Sequence, residues 1–307
     1  MHKFARPVSL AAAIILAACN GADKSSSQTS PPTPDVTSTN TPAKPSTLPP
    51  LASYMSCLPK EAALIAAHRG TARNSVYPEN SMSGLKALIE KGYFVAEVDV
   101  AGLKDGVHIL YHDGIWDEKS TGKGPIASSS WADAGKILLS DTKGDFSADR
   151  PVKFEDYLST AKGKIYLEID FKSSAKYDVV INLIRKYDMQ DQVILISYNE
   201  GQSKKLAALA PDMMLSIGSN EALGQKRYKP NQVGAWVGYN VDDAALIKSL
   251  QDKNVPILGR IRKEQNPKAA QAADLLVTDD VFDHSPIAGL NAANKKELDA
   301  CLAKLKT

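Results

Sequence analysis

YFVAEVD at residues 93–99 and KIYLEID at residues 164–170 are two apolar runs whose carboxylates stand two residues apart. Side chains at that interval share one face of a β-strand, so Glu97 and Asp99 point together, as do Glu168 and Asp170. The apolar neighbours Tyr93, Phe94, Val95 and Val98, and then Ile165, Leu167 and Ile169, argue against a solvated acidic face. Six further short runs surround these two, at Ala62–Ala67, Gln192–Ser197, Met213–Ile217, Val233–Val237, Pro256–Arg260 and Leu275–Thr278. Between them Ser81–Lys91, Lys176–Tyr187, Gln202–Ala210, Asp242–Lys253 and Pro267–Ala273 carry apolar residues at helical spacing. Eight strands alternating with helices predict parallel pairing and an α/β fold of the (β/α)8 TIM barrel type. One segment breaks the alternation. Between His112 and Arg150 the chain turns to Gly, Ser and polar residues, which predicts a loop excursion after the second strand.

Residues 1–18 place Lys3 and Arg6 before an apolar run that ends Leu16-Ala17-Ala18, directly followed by Cys19. This is the pattern of a bacterial lipoprotein signal peptide, with lipidation at Cys19. The run is shorter than the roughly 20 residues of a membrane-spanning helix. Asn20, rather than an aspartate, follows the cysteine, so the expected location is the cell envelope, lipid-anchored at the outer membrane and facing periplasm or exterior. Residues 19–50 are rich in Ser, Thr and Pro and too poor in apolar side chains to offset chain entropy, which predicts a flexible tether. Residues 51–307 have ordinary globular composition and the length of one barrel domain.

The 37 Lys and Arg are interspersed with 35 Asp and Glu, which argues against a nucleic-acid partner. Membrane association comes from the lipid, and nothing calls for an obligate protein partner. Of 3 cysteines, Cys57 and Cys301 remain once Cys19 carries a lipid. A closed barrel brings the first strand beside the last helix, so a Cys57–Cys301 disulfide is expected in an oxidising compartment, with two separate buried thiols as the alternative.

Without a cation, the adjacent Glu97 and Asp99 would repel until one took a proton. Asp170 on the third strand adds an oxygen donor, and together the three predict one divalent cation, Ca²⁺ or Mg²⁺ rather than zinc. Lys172, two residues on, is left to meet an anionic substrate oxygen. His68 ends the first strand, and His112 ends the alternating run Val107–Tyr111. Two imidazoles facing one cation supply a base for the nucleophile and an acid for the leaving alkoxide, both titrating near neutrality. Arg69 is placed to clamp a phosphate oxygen, and Asp113 can orient an imidazole. His108 is expected to be a surface or satisfied histidine, and His284 to lie in a late loop. The constellation points to metal-assisted cleavage of a phosphodiester.

His68-Arg69-Gly70, Pro78-Glu79-Asn80, Glu97-Val98-Asp99, Lys104-Asp105-Gly106, His112-Asp113 and Thr121-Gly122-Lys123-Gly124 follow one another in the order and approximate spacing of the glycerophosphodiester phosphodiesterases. The chain resembles that family from Ala66 to Asp280, continuing through Asp170-Phe171-Lys172, Ser197-Tyr198 and Thr278-Asp279-Asp280. The resemblance implies a (β/α)8 barrel, a cation held by Glu97, Asp99 and the third-strand acid, and His68 with His112 as the acid–base pair. It also implies a reaction: hydrolysis of a small glycerophosphodiester to glycerol 3-phosphate and an alcohol. The nucleophile is left open between water and the substrate's own glycerol 2-hydroxyl, which would pass through a cyclic phosphate.

The third-strand acid of that family is commonly a glutamate, whereas Asp170 stands here, with Glu168 as its substitute if the register slips. Val100-Ala101-Gly102-Leu103 replaces a threonine-bearing segment, and Leu258-Gly259-Arg260-Ile261-Arg262 replaces a tryptophan motif that bears on the leaving group. Glu79 and Asn80 serve either the site or the cap of the first helix. Tyr198 and Trp236 could line a pocket for the alcohol, although packed aromatics are the commoner case. Two other functions suit the same barrel. One is a sphingomyelinase D-like phospholipase forming a cyclic phosphate, whose third-strand motif is also Asp-x-Lys; the other is a non-catalytic envelope lipoprotein that binds phosphodiesters.

Overall fold

The computed structural model describes residues 48–224, 228–229, 232–262 and 272–305. The signal peptide, Cys19 and the tether up to residue 47 lie outside them, as does the helix expected at Pro267–Ala273 except for its last two residues. Among the described residues the chain runs α1 (Leu51–Ser56), β1 (Ala63–Ala67), α2 (Met82–Glu90), β2 (Val95–Gly102), β3 (His108–Leu110), α3 (Trp131–Ala134) and α4 (Phe154–Ala161). It continues through β4 (Tyr166–Phe171), α5 (Tyr177–Lys186), β5 (Val193–Ile196), α6 (Glu200–Leu209), β6 (Met214–Gly218), α7 (Ser219–Leu223) and β7 (Val233–Gly238). Last come α8 (Ala244–Gln251), β8 (Ile257–Arg260), β9 (Leu275–Thr278), β10 (Ile287–Ala288) and α9 (Ala292–Lys304).

Parallel pairing runs β2–β4–β5–β6–β7–β8–β9, and β1 joins both β9 and β2, so the eight expected strands close into a barrel. β3 and β10 are short antiparallel additions to β2 and β1. β2 begins at Val95 rather than Tyr93 and runs to Gly102, because it turns back as the hairpin partner of β3. The register of β2 on β4 sets Glu97 opposite Glu168 and Asp99 opposite Asp170. No slip occurs, so Asp170 keeps the place of the third-strand acid.

The strand faces turned outward, including Ile65, Val98 and Leu167, share one apolar cluster with Leu85, Leu88, Ile181 and Ile184 of the surrounding helices. The inward faces change character along the barrel axis. Towards the strand starts, Leu64, Val95, Tyr166, Met214, Leu258 and Leu275 form a second cluster with Leu51, Tyr54 and Met55 of α1 and with Leu298 and Leu302 of α9. The Tyr54 ring lies 5.3 Å from Phe94 and 5.9 Å from Tyr166, plugging this end. Cys57 and Cys301 are bonded beside the plug with Cα atoms 5.6 Å apart, tying the end of α1 to α9.

Residues 112–150 lie outside the barrel strands. They carry α3, three isolated bridges and much of a separate small cluster around the fully buried Trp116. Thr142 anchors this excursion to the loop after β1 by accepting from Ser75 N at 2.7 Å and donating to the Ser75 and Ala72 carbonyls.

Candidate active site

At the strand ends opposite the plug, the inward side chains become polar and line a cavity of about 460 Å³. Its floor is acidic. Glu97, Asp99 and Asp170 are each at most 6% exposed, and their ligand atoms all lie within 4.8 Å of one another. Burial and the Asp99 charge hold Glu97 well above the ordinary carboxylate range. Glu168, fully buried beside them, is pushed up to about 8 by burial, with the Asp170 charge adding to it. Asp170 Oδ1 and both Glu168 oxygens have no hydrogen-bond partner. The converging oxygens of Glu97, Asp99 and Asp170, one of them orphaned, fit a hard divalent cation.

Sequence reasoning gave Lys172 to the substrate; the structure sets its Nζ 2.6 Å from Asp99 and 2.7 Å from Asp170. Burial alone would lower this ammonium, but the two carboxylates outweigh that and raise it. Asp170 also accepts from the Tyr198 hydroxyl at 2.7 Å. Tyr198 is not a packed aromatic: the residue is 70% exposed and lines the cavity. Trp236 lines the cavity from β7.

β1 ends in a left-handed turn, with Arg69 at φ 55° and Gly70 at φ 66°. Glycine adopts this freely; at Arg69 it is strained, and it coincides with the Arg69 N–H donating to Glu97 Oε2 at 2.8 Å. Asn80, also left-handed at φ 55°, donates to Asp99 Oδ2 at 2.7 Å and accepts from Asp99 N at 2.9 Å. Neither Asn80 nor Glu79 caps α2. Ser81 does, accepting from Gly84 N, which frees Asn80 to fix Asp99 and Glu79 to bind Arg69 at 3.1 Å and Lys119 at 3.0 Å.

Both histidines are oriented alike. His112 Nδ1 lies 2.7 Å from Asp113, and His68 Nδ1 lies 2.6 Å from Asp279 at the end of β9. A carboxylate can only accept, so each contact sets the proton on Nδ1 and turns the Nε2 lone pair inward. His112 Nε2 accepts from the Arg69 guanidinium at 2.8 Å, and His68 Nε2 stands 3.9 Å from Glu97. Burial takes His68 below the ordinary imidazole range, with Arg260 and Arg69 opposing its protonation and Asp279 favouring it. The hydrogen bond from His68, together with the Arg260 charge, holds Asp279 far below the usual carboxylate range.

Arg260 grips both Asp279 oxygens at 2.9 and 3.0 Å, and Arg73 pairs with Asp279 and Asp280 at 3.2 Å. Sequence reasoning quoted Asp279 and Arg260 without giving them a role; the register of β1 on β9 ends at Ala67 opposite Thr278, which puts His68 and Asp279 side by side. It missed Lys119 altogether. His108 is satisfied rather than exposed, held between Gly106 O and the Lys176 N–H.

The strand ends of an eight-stranded parallel barrel thus bring two Asp-oriented imidazoles above buried carboxylates. Residues 68–296 match the model of the Glycerophosphoryl diester phosphodiesterase family, and the chain belongs to that family. A glycerophosphodiester phosphodiesterase of Caldanaerobacter subterraneus subsp. tengcongensis is 26% identical over 161 residues, covering 50% of this chain and 65% of that protein. The chain thus aligns with somewhat under two thirds of that relative's length. Among solved structures, a glycerophosphoryl diester phosphodiesterase from Parabacteroides distasonis superposes with a TM-score of 0.65 at 20% identity, covering 84% of this chain and 94% of that one. An Oleispira antarctica phosphodiesterase bound to its product sn-glycerol-3-phosphate gives 0.57 at 16% identity, covering 81% and 99%. Both share the barrel.

Proposed function

We propose that this chain is a cation-dependent phosphodiesterase that hydrolyses small glycerophosphodiesters to glycerol 3-phosphate and an alcohol, with His68 and His112 moving the protons. The observation that carries this is the meeting, in one cavity, of two imidazoles oriented by Asp279 and Asp113 with the buried acids Glu97, Asp99 and Asp170. Family membership supports the reaction class.

Glu97, Asp99 and Asp170 would hold one Ca²⁺ or Mg²⁺, which when bound supplies electrophilic stabilisation of the phosphoryl charge. The chain's own groups do the rest. His68, kept neutral by burial, offers Nε2 to take the proton of the attacking hydroxyl or water. His112, with Asp113 on its Nδ1, acts as the acid once Nε2 has taken up a proton in place of the Arg69 hydrogen bond, and it passes that Nε2 proton to the leaving alkoxide. Arg69, already spanning Glu79 and His112, offers a guanidinium to a phosphate oxygen, and Lys172 screens the acids from an incoming anion. The test is release of glycerol 3-phosphate from a panel of glycerophosphodiesters, with and without chelator, by wild type, His68→Ala and His112→Ala.

The sphingomyelinase D-like alternative draws support from Asp170-Phe171-Lys172. It predicts a cyclic phosphate that persists in the ³¹P spectrum of the products, whereas hydrolysis predicts glycerol 3-phosphate alone. The N-terminal pattern supports processing after Ala18, lipid attachment at Cys19, residues 19–50 as a tether, and an outer-membrane location. Incorporation of labelled palmitate by wild type and its loss in Cys19→Ser tests that part.

A further inference from the structure

Four carboxylates, not three, stand on the inward faces of β2 and β4. The parallel register pairs Glu97 with Glu168 and Asp99 with Asp170, which makes a two-by-two grid with the glutamates in the lower row. Three of the four have partners: Glu97 takes the Arg69 N–H, Asp99 takes Asn80 and Lys172, and Asp170 takes Lys172 and Tyr198. Glu168 is 0% exposed, lines the same cavity, and has neither oxygen hydrogen-bonded. A buried carboxyl with no partner costs free energy that an apolar side chain of the same size would not, so packing does not account for it.

The register does. Neighbouring strands lie about 4.8 Å apart, so Glu168 stands level with Glu97, one strand over, with its oxygens beside but outside the group of Glu97, Asp99 and Asp170 oxygens that lie within 4.8 Å of one another. The chain also carries the shorter aspartate at position 170 and sets a glutamate one row beneath it.

We infer that Glu168 is a fourth carboxylate ligand of the cation, turning in level with Glu97 and below Asp99 and Asp170, and enlarging the oxygen shell in favour of Ca²⁺ over Mg²⁺. This rests on the divalent cation of the proposed function. The experiment is calorimetric titration of Ca²⁺ alone, and of Mg²⁺ alone, into the purified metal-free chain as wild type, Glu168→Gln and Glu97→Gln. Glu168→Gln is expected to weaken Ca²⁺ binding by about tenfold or more, comparably to Glu97→Gln, and to narrow the gap between Ca²⁺ and Mg²⁺.

Ca²⁺ affinity in Glu168→Gln within about twofold of wild type, alongside an impaired Glu97→Gln, would overturn the inference while leaving the three-acid site standing. Absence of binding heat in wild type with either ion would overturn both. Circular dichroism checks that Glu168→Gln folds. Where it does not, a crystal structure of wild type with Ca²⁺ decides: a Glu168 oxygen at about 2.3–2.6 Å from the ion is the expected result, and its absence from the shell the contrary one.

Discussion

The two ends of the barrel are built from the same strands with opposite chemistry. At the strand starts the inward residues are Leu64, Val95, Tyr166 and Leu275, covered by Tyr54 of α1 and locked by the Cys57–Cys301 bond. At the strand ends they are His68, Glu97, Glu168, Asp170 and Arg260, several of them buried and two with orphaned oxygens. Burying apolar surface stabilises at roughly 25 cal/mol per Å², whereas burying charge destabilises unless something binds it. The plug end holds the barrel shut, and that lets the other end tolerate the like charges its chemistry needs. Mutations at the two ends should therefore separate stability from turnover.

The largest separation is expected at the histidines. His68→Ala and His112→Ala should each lower kcat by about 10²–10⁴-fold while leaving the thermal midpoint close to wild type, as steady-state kinetics and calorimetry would show. Tyr54→Ala should do the reverse. It empties the plug at a cost of about 3–5 kcal/mol in denaturant unfolding, with kcat at low temperature unchanged. Cys57→Ser with Cys301→Ser removes a link between residues 244 apart in sequence and should cost about 2–5 kcal/mol, again without loss of kcat. A fall in kcat from either plug variant would show that the two ends are coupled.

A smaller effect is expected at Asp279. Asp279→Asn keeps the size of the group that orients His68 but not its charge, and should lower kcat by about 10–100-fold with KM little changed. The smallest concerns pH. Asp274, at the plug end, accepts from Ile257 N at 2.7 Å, yet burial raises it from 3.8 to about 6. Its folded pKa lies above its unfolded one, so its contribution to stability is full below pH 3.8 and is lost as pH rises through about 6. Asp279 has the opposite sign, because its depressed pKa gives stability above the unfolded value that is lost as pH falls. Asp274→Asn should flatten the wild-type decline between those pH values and leave the acid limb intact, as thermal midpoints across pH would show.

The strands were legible because their apolar runs are long enough to outlast turn residues, and the two-residue spacing of Glu97 with Asp99 and of Asp170 with Lys172 is itself a strand signal. α1 was not, since Leu51–Ser56 is one short turn and a half after prolines, stabilised by what it covers rather than by its own periodicity. The His68–Asp279 contact joins residues 211 apart, and only closure of the ring makes them neighbours. Asn80 stayed open between site and cap because Asx residues at helix starts commonly cap; its left-handed backbone turns both ends of its amide onto Asp99, a conformation no spacing rule reveals.

The polar end of this barrel is proposed to cleave glycerophosphodiesters with two histidines and a cation. The direct measurement is glycerol 3-phosphate released from glycerophosphodiesters of varied head group by the purified chain, in Ca²⁺ or Mg²⁺ and after chelation, for wild type and both histidine variants. Wild type is expected to turn over, chelation to abolish that turnover, and His68→Ala and His112→Ala each to reduce it by at least about 10²-fold. Equal turnover with and without the histidines, or none from wild type with any head group and either cation, would contradict that proposal.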